Sequence, residues 1–188
     1  MATINGTNES NILYGTAWAD LIRGLDGDDR IYGRAGNDTI YGGDDHDSIW
    51  GENGDDIIVA GKGEDRVWGG AGNDRITDES GNDMLDGGDG NDMLNGGAGR
   101  DLLNGGAGAD SFVFQTGGGA DTIQGYQHGI DRLLIDADRL EASPAVFMRD
   151  HMAKTAAGVV VDLGGGDRIL VAGQKLTVEG VADDIFGF

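Results

Sequence analysis

The sequence predicts an all-β solenoid, and a regular short repeat is the main reason. From Gly6 to Val113 the pattern G-G-x-G-x-D-x-U-x, in which U is a large apolar residue, recurs twelve times without an insertion. Hydrophobic residues make up 38% of the 188 residues, which is low for a layered core, and 37 residues are glycine. Short strands joined by glycine-rich turns account for all three observations.

Each repeat is expected to form one turn and one short strand. The glycines permit turns with positive φ, and x-U-x makes a strand whose central side chain points inward. Two repeats then complete a coil of eighteen residues, and stacked coils form two parallel sheets around an apolar core. The predicted core row is Leu13, Ile22, Ile31, Ile40, Ile49, Ile58, Val67, Ile76, Leu85, Leu94, Leu103 and Phe112.

Composition limits the partners and the sources of stability. The formal charge is −21, from 34 acidic and 13 basic residues, so the compact chain repels itself and nucleic acid is disfavoured as a partner. Because cysteine is absent, disulfides and zinc–thiolate sites are excluded. The first residues lack the features of a classical signal peptide, and no stretch approaches the ~20 apolar residues of a membrane span.

A carboxylate recurs at the sixth position of the repeat, where stacked turns face one another. Calcium binds six to eight oxygens, which aspartates and turn carbonyls from adjacent coils can supply, whereas magnesium demands a tighter octahedron. The predicted aspartate ligands are Asp29, Asp38, Asp47, Asp56, Asp65, Asp74, Asp83, Asp92, Asp101, Asp110 and Asp121. The glycines assigned to the same sites are Gly27, Gly36, Gly54, Gly63, Gly72, Gly81, Gly90, Gly99 and Gly108.

The turns are expected to form two columns. One column starts at Gly24 and includes a thirteenth turn that ends at Asp121, and the other column starts at Gly33. The gaps between neighbouring turns predict about seven to nine calcium ions. Asp45 replaces the fourth-position glycine in the turn at Gly42, which makes the two sites beside that turn doubtful.

Copies such as Gly69-Gly70-Ala71-Gly72-Asn73-Asp74-Arg75-Ile76-Thr77 resemble the calcium-binding repeats of the RTX (repeats-in-toxin) family. The resemblance implies a right-handed parallel β-roll with two nonapeptides per coil, and calcium as the cofactor. It also implies secretion from a Gram-negative bacterium. The end of the chain, Asp183 to Phe188, is similar to the uncleaved signals of type I secretion substrates, although an ordinary final strand would look alike. The type I machinery is therefore an expected partner.

Three regions are predicted: an N-terminal capping coil at 1–23, the calcium-binding roll at 24–124, and a β-rich cap with the secretion signal at 125–188. In the first region Trp18 stands at the fourth position and is expected to shield the open core. In the last region Ser143-Pro144 predicts a helix that continues to Lys154, and Gly158 to Val171 predicts a hairpin. Gly125 stands where the family often has aspartate, which puts a further site at Asp131 in doubt.

A row of aromatic residues on one sheet suggests a second role. The outward ninth positions include Tyr32, Trp50 and Trp68, and Arg30 and Arg66 occupy adjoining seventh positions. Aromatic and arginine side chains in a row suit an acidic polysaccharide, but such ladders also stabilise strands or dock a neighbouring domain.

The sequence indicates a binding module rather than an enzyme. No nucleophile motif is present, and carboxylates bound to calcium are not free to transfer protons. We expect an extracellular module that stays unfolded at cytosolic calcium levels and folds on binding calcium outside the cell. The alternative is a C-terminal calcium-dependent module, polysaccharide-binding or stabilising, of a larger secreted enzyme or adhesin.

Overall fold

The structure, a computed structural model, describes residues 1–135, 152–173 and 176–186. These residues form a parallel β-solenoid with two sheets. The first sheet contains β1 (Thr3–Asn5), β3 (Leu21–Asp26), β5 (Thr39–Asp44), β7 (Ile57–Lys62), β9 (Arg75–Thr77), β12 (Met93–Asn95), β15 (Ser111–Phe114) and β17 (Arg132–Ile135), with β10 (Ser80–Gly81) and β13 (Ala98–Gly99) off this path. The second contains β2 (Ile12–Tyr14), β4 (Arg30–Ala35), β6 (Ser48–Asn53), β8 (Arg66–Ala71), β11 (Met84–Asp89), β14 (Leu102–Ala107), β16 (Ala120–Gln124), β20 (Asp167–Ala172), β19 (Gly158–Gly164) and β18 (Met152–Lys154).

The register confirms the coil of two repeats. In the second sheet Ile31 pairs with Ile49, and Ile49 pairs with Val67, so identical repeat positions lie above one another. From Ile22 to Phe112 every residue of the predicted core row is fully buried, and Leu13 at the open end is partly buried against the core. Each x-U-x segment therefore contributes one inward apolar side chain, as the pattern predicts.

The C-terminal residues extend both sheets of the solenoid. Strand β17 pairs in parallel with β15, and β20 pairs in parallel with β16. Strands β19 and β20 form the predicted antiparallel hairpin, and a helix, α1 (Val178–Phe186), follows. Among the described residues no helix has the length and apolar content to cross a membrane. Since the sheets continue without a break past residue 124, the proposed boundary there remains a prediction.

Two local predictions were wrong. Residues 152–154 form strand β18, paired with β19, so the predicted helix does not reach Lys154; its segment from 143 to 151 lies outside the described residues. Trp18 is 74% exposed and does not shield the core, because it lies in the turn between β2 and β3, outside both sheets. Ile4 and Leu13 instead lie against the first core residues at that end.

Candidate calcium sites in the stacked turns

The sixth-position aspartates form two continuous columns along the turns. Within a column, the backbone N–H of one aspartate donates to Oδ1 of the aspartate in the next coil, as from Asp38 to Asp56 at 2.7 Å. The first column contains Asp29, Asp47, Asp65, Asp83, Asp101 and Asp121. The second contains Asp20, Asp38, Asp56, Asp74, Asp92, Asp110 and Asp131. All of these residues are buried, so the structure brings the predicted aspartates together.

The other carboxylate oxygen of most column aspartates has no hydrogen-bond partner among the described residues. This buried Oδ2 is found at Asp29, Asp38, Asp47, Asp56, Asp65, Asp74, Asp83, Asp92, Asp101 and Asp110, and also at Asp78. An unpaired, buried anionic oxygen is strongly unfavourable unless a cation neutralises it. The columns therefore fit a resident metal ion.

In the turns that open at Gly24, Gly33, Gly42, Gly51, Gly69 and Gly87, a carbonyl oxygen from the following coil points into the same space as the Oδ2. A methyl group added at Gly33 would lie 2.7 Å from the carbonyl oxygen of Gly51 and 2.8 Å from Oδ2 of Asp38. The first-position glycine thus leaves open a small space bordered by hard oxygens, which calcium prefers. Sequence analysis assigned fourth-position glycines instead, although the glycine at position one was already visible in the pattern.

The fourth-position glycines have a different visible role. Gly54 has φ 132° and Gly72 has φ 135°, a region that favours glycine. An added Cβ at Gly72 would also lie 2.5 Å from the carbonyl carbon of Gly54 in the preceding coil. These glycines therefore allow both the turn and the close stacking, and their carbonyls as calcium ligands remain a prediction.

Burial perturbs the ionisation of the columns. It raises the pKa of Asp47 and Asp101 to about 8, and that of Asp56 and Asp92 to about 7. The backbone N–H from the preceding coil lowers each pKa in part, while the charges of neighbouring aspartates raise it further. Bare carboxylates are thus costly in this fold, and a bound cation would remove that cost.

Protein groups close the N-terminal end of the columns. Thr16 donates from its backbone N–H and its Oγ1 to Oδ2 of Asp20, at 2.7 and 2.8 Å. The N–H of Ala2 donates to Oδ1, and this bond most strongly holds the pKa of Asp20 below its ordinary value. In the preceding turn the N–H of Thr7 donates to Oδ1 of Asn11 at 2.6 Å. Threonine at position two, in place of glycine, is the sequence signal for this closure, which sequence analysis missed.

The C-terminal end is closed in a similar way. Asp131, which the sequence left in doubt, extends the second column, and its Oδ2 accepts the N–H of Gln127 at 2.7 Å. In the thirteenth turn, the N–H groups of Gly117 and Gly119 donate to the two carboxylate oxygens of Asp167, at 2.9 and 3.0 Å. Because Asp167 comes from the hairpin about fifty residues away, no repeat pattern predicts this contact.

The turn at Gly42 keeps its geometry despite its unusual fourth residue. Asp45 has φ 81°, so it adopts the left-handed conformation normally reserved for glycine. Its carboxylate accepts the N–H of Gly27 at 3.1 Å. Asp47 remains in the column and retains an unpartnered Oδ2. The substitution therefore does not remove a carboxylate from either neighbouring gap.

Fifth-position side chains form a further ladder that sequence analysis left unassigned. The N–H of Asn73 donates to Oδ1 of Asp55 at 2.7 Å, and the N–H of Asn91 donates to Oδ1 of Asn73 at 3.0 Å. In the other column, Nδ1 of His46 accepts the N–H of Glu64 at 2.7 Å. The frequent asparagine at position five was the available signal. These bonds tie successive turns together on the outside of the columns.

The aromatic row is a stack of rings. Centroids are 5.1 Å apart between Tyr14 and Tyr32, 4.6 Å between Tyr32 and Trp50, and 4.9 Å between Trp50 and Trp68, with nearly parallel planes. Both faces of the Trp50 ring are therefore covered by neighbours in the row. Arg30 and Arg66 lie on the same sheet and are exposed, with Ser48 between them in the register.

Comparisons with known proteins gave matches to one family model and to solved structures. A search of curated proteins found no match. Among solved structures, the crystal structure of extracellular lipase LipA from Serratia marcescens is similar, with 18% identity and a TM-score of 0.40 over 97% of this chain and 39% of the lipase. This chain thus spans well under half of the lipase's length. The model of the RTX calcium-binding nonapeptide repeat (4 copies) matches residues 5–40, 14–49, 32–67, 41–76, 50–85 and 77–112. These segments cover more than half of the chain, which therefore belongs to the RTX calcium-binding nonapeptide-repeat family.

Proposed function

We propose that this chain is an extracellular, non-catalytic module that folds when calcium fills the gaps between its stacked turns. The repeats of its family are structural calcium-binding modules. The observation that carries the proposal is the row of buried Oδ2 atoms without a hydrogen-bond partner in the described chain. Burying these carboxylates without a cation is unfavourable in every coil, so cation binding and folding are coupled.

The proposed ligands in each gap are the Oδ2 of one turn and the first-position carbonyl of the next. Calcium, when bound, supplies the positive charge that offsets these oxygens and links the two coils. Unpartnered oxygens run from Asp29 to Asp101 in one column and from Asp38 to Asp110 in the other. They provide one for each gap counted from the sequence and one more at Asp110, which precedes Asp131 in its column. We therefore retain about seven to nine ions, with this regularity favouring the upper end.

The proposed setting is type I secretion from a Gram-negative bacterium. The chain would stay unfolded where free calcium is scarce and fold after export, because calcium binds the folded state alone. In the folded chain, Asp184 of the proposed secretion signal accepts hydrogen bonds from the Tyr126 hydroxyl at 2.8 Å and the Gly129 N–H at 3.1 Å. The secretion machinery would therefore have to engage this segment before it docks on the roll.

A titration with calcium tests coupled folding. The purified chain, depleted of metal, is expected to show a disordered far-ultraviolet circular dichroism spectrum at pH 7.5 and to become β-rich as calcium is added. Calorimetry under the same conditions gives the number of ions. Magnesium at equal concentration is the control, and it should be much less effective because it demands a tighter octahedron. A β-rich spectrum that calcium leaves unchanged in excess chelator would contradict the proposal.

Binding to an acidic polysaccharide is a second candidate function. The exposed guanidinium groups of Arg30 and Arg66 beside the aromatic row favour it. The ring faces pack against one another, so a polysaccharide would contact ring edges and arginines rather than stack on Trp50. This candidate also suits a module of a larger secreted enzyme or adhesin, with the chemistry located elsewhere.

A further inference from the structure

One turn departs from the others at its first position. Ten of the twelve repeats have glycine there, one has Ala60, and one has Asp78. Asp78 is 7% exposed, and its Oδ1 accepts the N–H of Gly61 in the preceding coil at 3.1 Å. Its Oδ2 is buried and has no hydrogen-bond partner among the described residues.

The Asp78 carboxylate lies beside two aspartates of the first column. Asp65, Asp78 and Asp83 each offer a carboxylate oxygen, and these oxygens lie within 4.8 Å of one another. All three side chains are more than nine-tenths buried, and each has an unpartnered Oδ2. One carboxylate oxygen from each of three buried side chains thus lies close to those of the other two, whereas a glycine at position one adds no carboxylate.

We propose that Asp65, Asp78 and Asp83 form a three-carboxylate cation site that binds calcium more tightly than the other gaps and prefers a trivalent lanthanide ion. This inference rests on the proposed function, because the ordinary gaps are the reference against which the site is compared.

The charge of the ligands is the physical reason. Calcium sites gain affinity with the number of charged ligands, and the attraction between ion and ligand grows with the product of their charges. A third carboxylate therefore strengthens binding of a divalent ion, and strengthens binding of a trivalent ion further. Lys62, in the same repeat as Asp65, pairs with the exposed Asp44 at 2.9 Å.

The local backbone suits this role. The N–H of Gly61 fixes one oxygen of Asp78, which leaves Oδ2 as the free ligand atom. The N–H of Asp78 donates to the carbonyl of Asn95, and the N–H of Glu79 donates to the carbonyl of Gly61. The turn is thus held by backbone bonds that do not use the free carboxylate oxygen, so removing its charge should leave the turn intact.

Two substitutions test the site on the full chain. Asp78→Asn keeps the size of the side chain and removes its charge. Asp89→Ala is the matched control, because it removes one acidic charge from an exposed third position where other repeats carry alanine. The readouts are calcium titration against a chromophoric chelator and terbium luminescence in a fixed excess of calcium.

The wild-type chain and Asp89→Ala are expected to bind one terbium ion ahead of all others. Asp78→Asn is expected to weaken that first terbium ion and the tightest calcium ion by about tenfold or more, and to leave the remaining calcium ions unchanged. Equal affinities in all three proteins would overturn the inference.

The outcomes separate this inference from the proposed function. If the wild-type chain binds no calcium, the proposed function is wrong. If the wild-type chain binds calcium but Asp78→Asn does not change the affinity for the first ion, only the inference is wrong. Should Asp78→Asn not fold in saturating calcium, Asp78→Gly replaces it, because glycine is the residue that ten other turns use. Failure of both to fold would also overturn the inference, since Asp78 would then be required for the fold itself.

Discussion

Acid is predicted to fold the metal-free chain. In the fold, burial raises the pKa of Asp47 and Asp101 to about 8 and that of Asp78 to about 9, from an ordinary value of 3.8. A carboxyl group whose pKa is higher in the folded state binds its proton more tightly there. Protonation therefore stabilises the metal-free fold, fully below about pH 4, and this stability is lost as the pH rises through the range of about 6 to 9.

The size of the effect follows from the number of protons taken up. At pH 7, folding without metal takes up about four protons, nearly whole ones at Asp47, Asp78 and Asp101 and about half each at Asp56 and Asp92. Each proton contributes about 1.4 kcal/mol per pH unit, so lowering the pH from 7 to 6 stabilises the metal-free fold by on the order of 5 kcal/mol. Calcium binding should release protons from chain that acid has already folded, and almost none from the unfolded chain, whose carboxylates are ionised at pH 7.

The assay is circular dichroism of chain stripped of metal on a chelating resin, recorded from pH 7.5 to pH 5. A gain of β signal is expected, and a pH-stat during calcium addition to the acid-folded chain at pH 5 should record the released protons. Sodium chloride at about 1 M and pH 7.5 is the control, because it screens general repulsion without protonating buried carboxylates. A spectrum that does not respond to pH, or an equal gain in salt alone, would refute the reasoning.

Two further substitutions address the ligand space and the aromatic row. Gly33→Ala should weaken calcium-induced folding, because the added methyl would lie 2.8 Å from Oδ2 of Asp38. Gly118→Ala is the control and should fold at the wild-type calcium midpoint, because the nearest neighbour of its methyl would be 3.3 Å away. Equal calcium midpoints for the two variants would contradict the role of the first-position glycine. The double variant Trp50→Ala, Trp68→Ala should be retained less strongly on an alginate gel but should still fold with calcium. It should lose about 0.5–1.5 kcal/mol of folding free energy for each stacked pair removed. Undiminished retention would count against polysaccharide binding.

The nine-residue period predicts what every coil shares. The inward row from Ile22 to Phe112 and the two aspartate columns are set by backbone positions that recur in each repeat, so a single pattern locates all of them. A local signal also identifies the hairpin of β19 and β20, since strand-forming apolar residues lie on both sides of a glycine-rich turn.

The period does not predict features that depend on single contacts. Thr16 closes the second column through its backbone N–H and its hydroxyl, and Asp167 reaches the thirteenth turn from a distant hairpin. Trp18 was assigned a shielding role from its size, yet its position in the turn directs it to solvent. The termini and tail are governed by such individual contacts, which one sequence does not reveal.

The column geometry couples neighbouring gaps. Interior aspartates accept the N–H of the preceding coil at Oδ1, and in six turns Oδ2 faces a carbonyl of the following coil, as Asp38 does with Asp20 and Gly51. An ion held by Oδ2 therefore also orders the hydrogen bond that Oδ1 of the same aspartate accepts from the preceding coil. At the ends, Thr16 and Gln127 replace the ion with protein donors, so the terminal aspartates need no cation. Because order in one gap favours order in the next, the interior coils should fill with calcium cooperatively between two ends that are already satisfied.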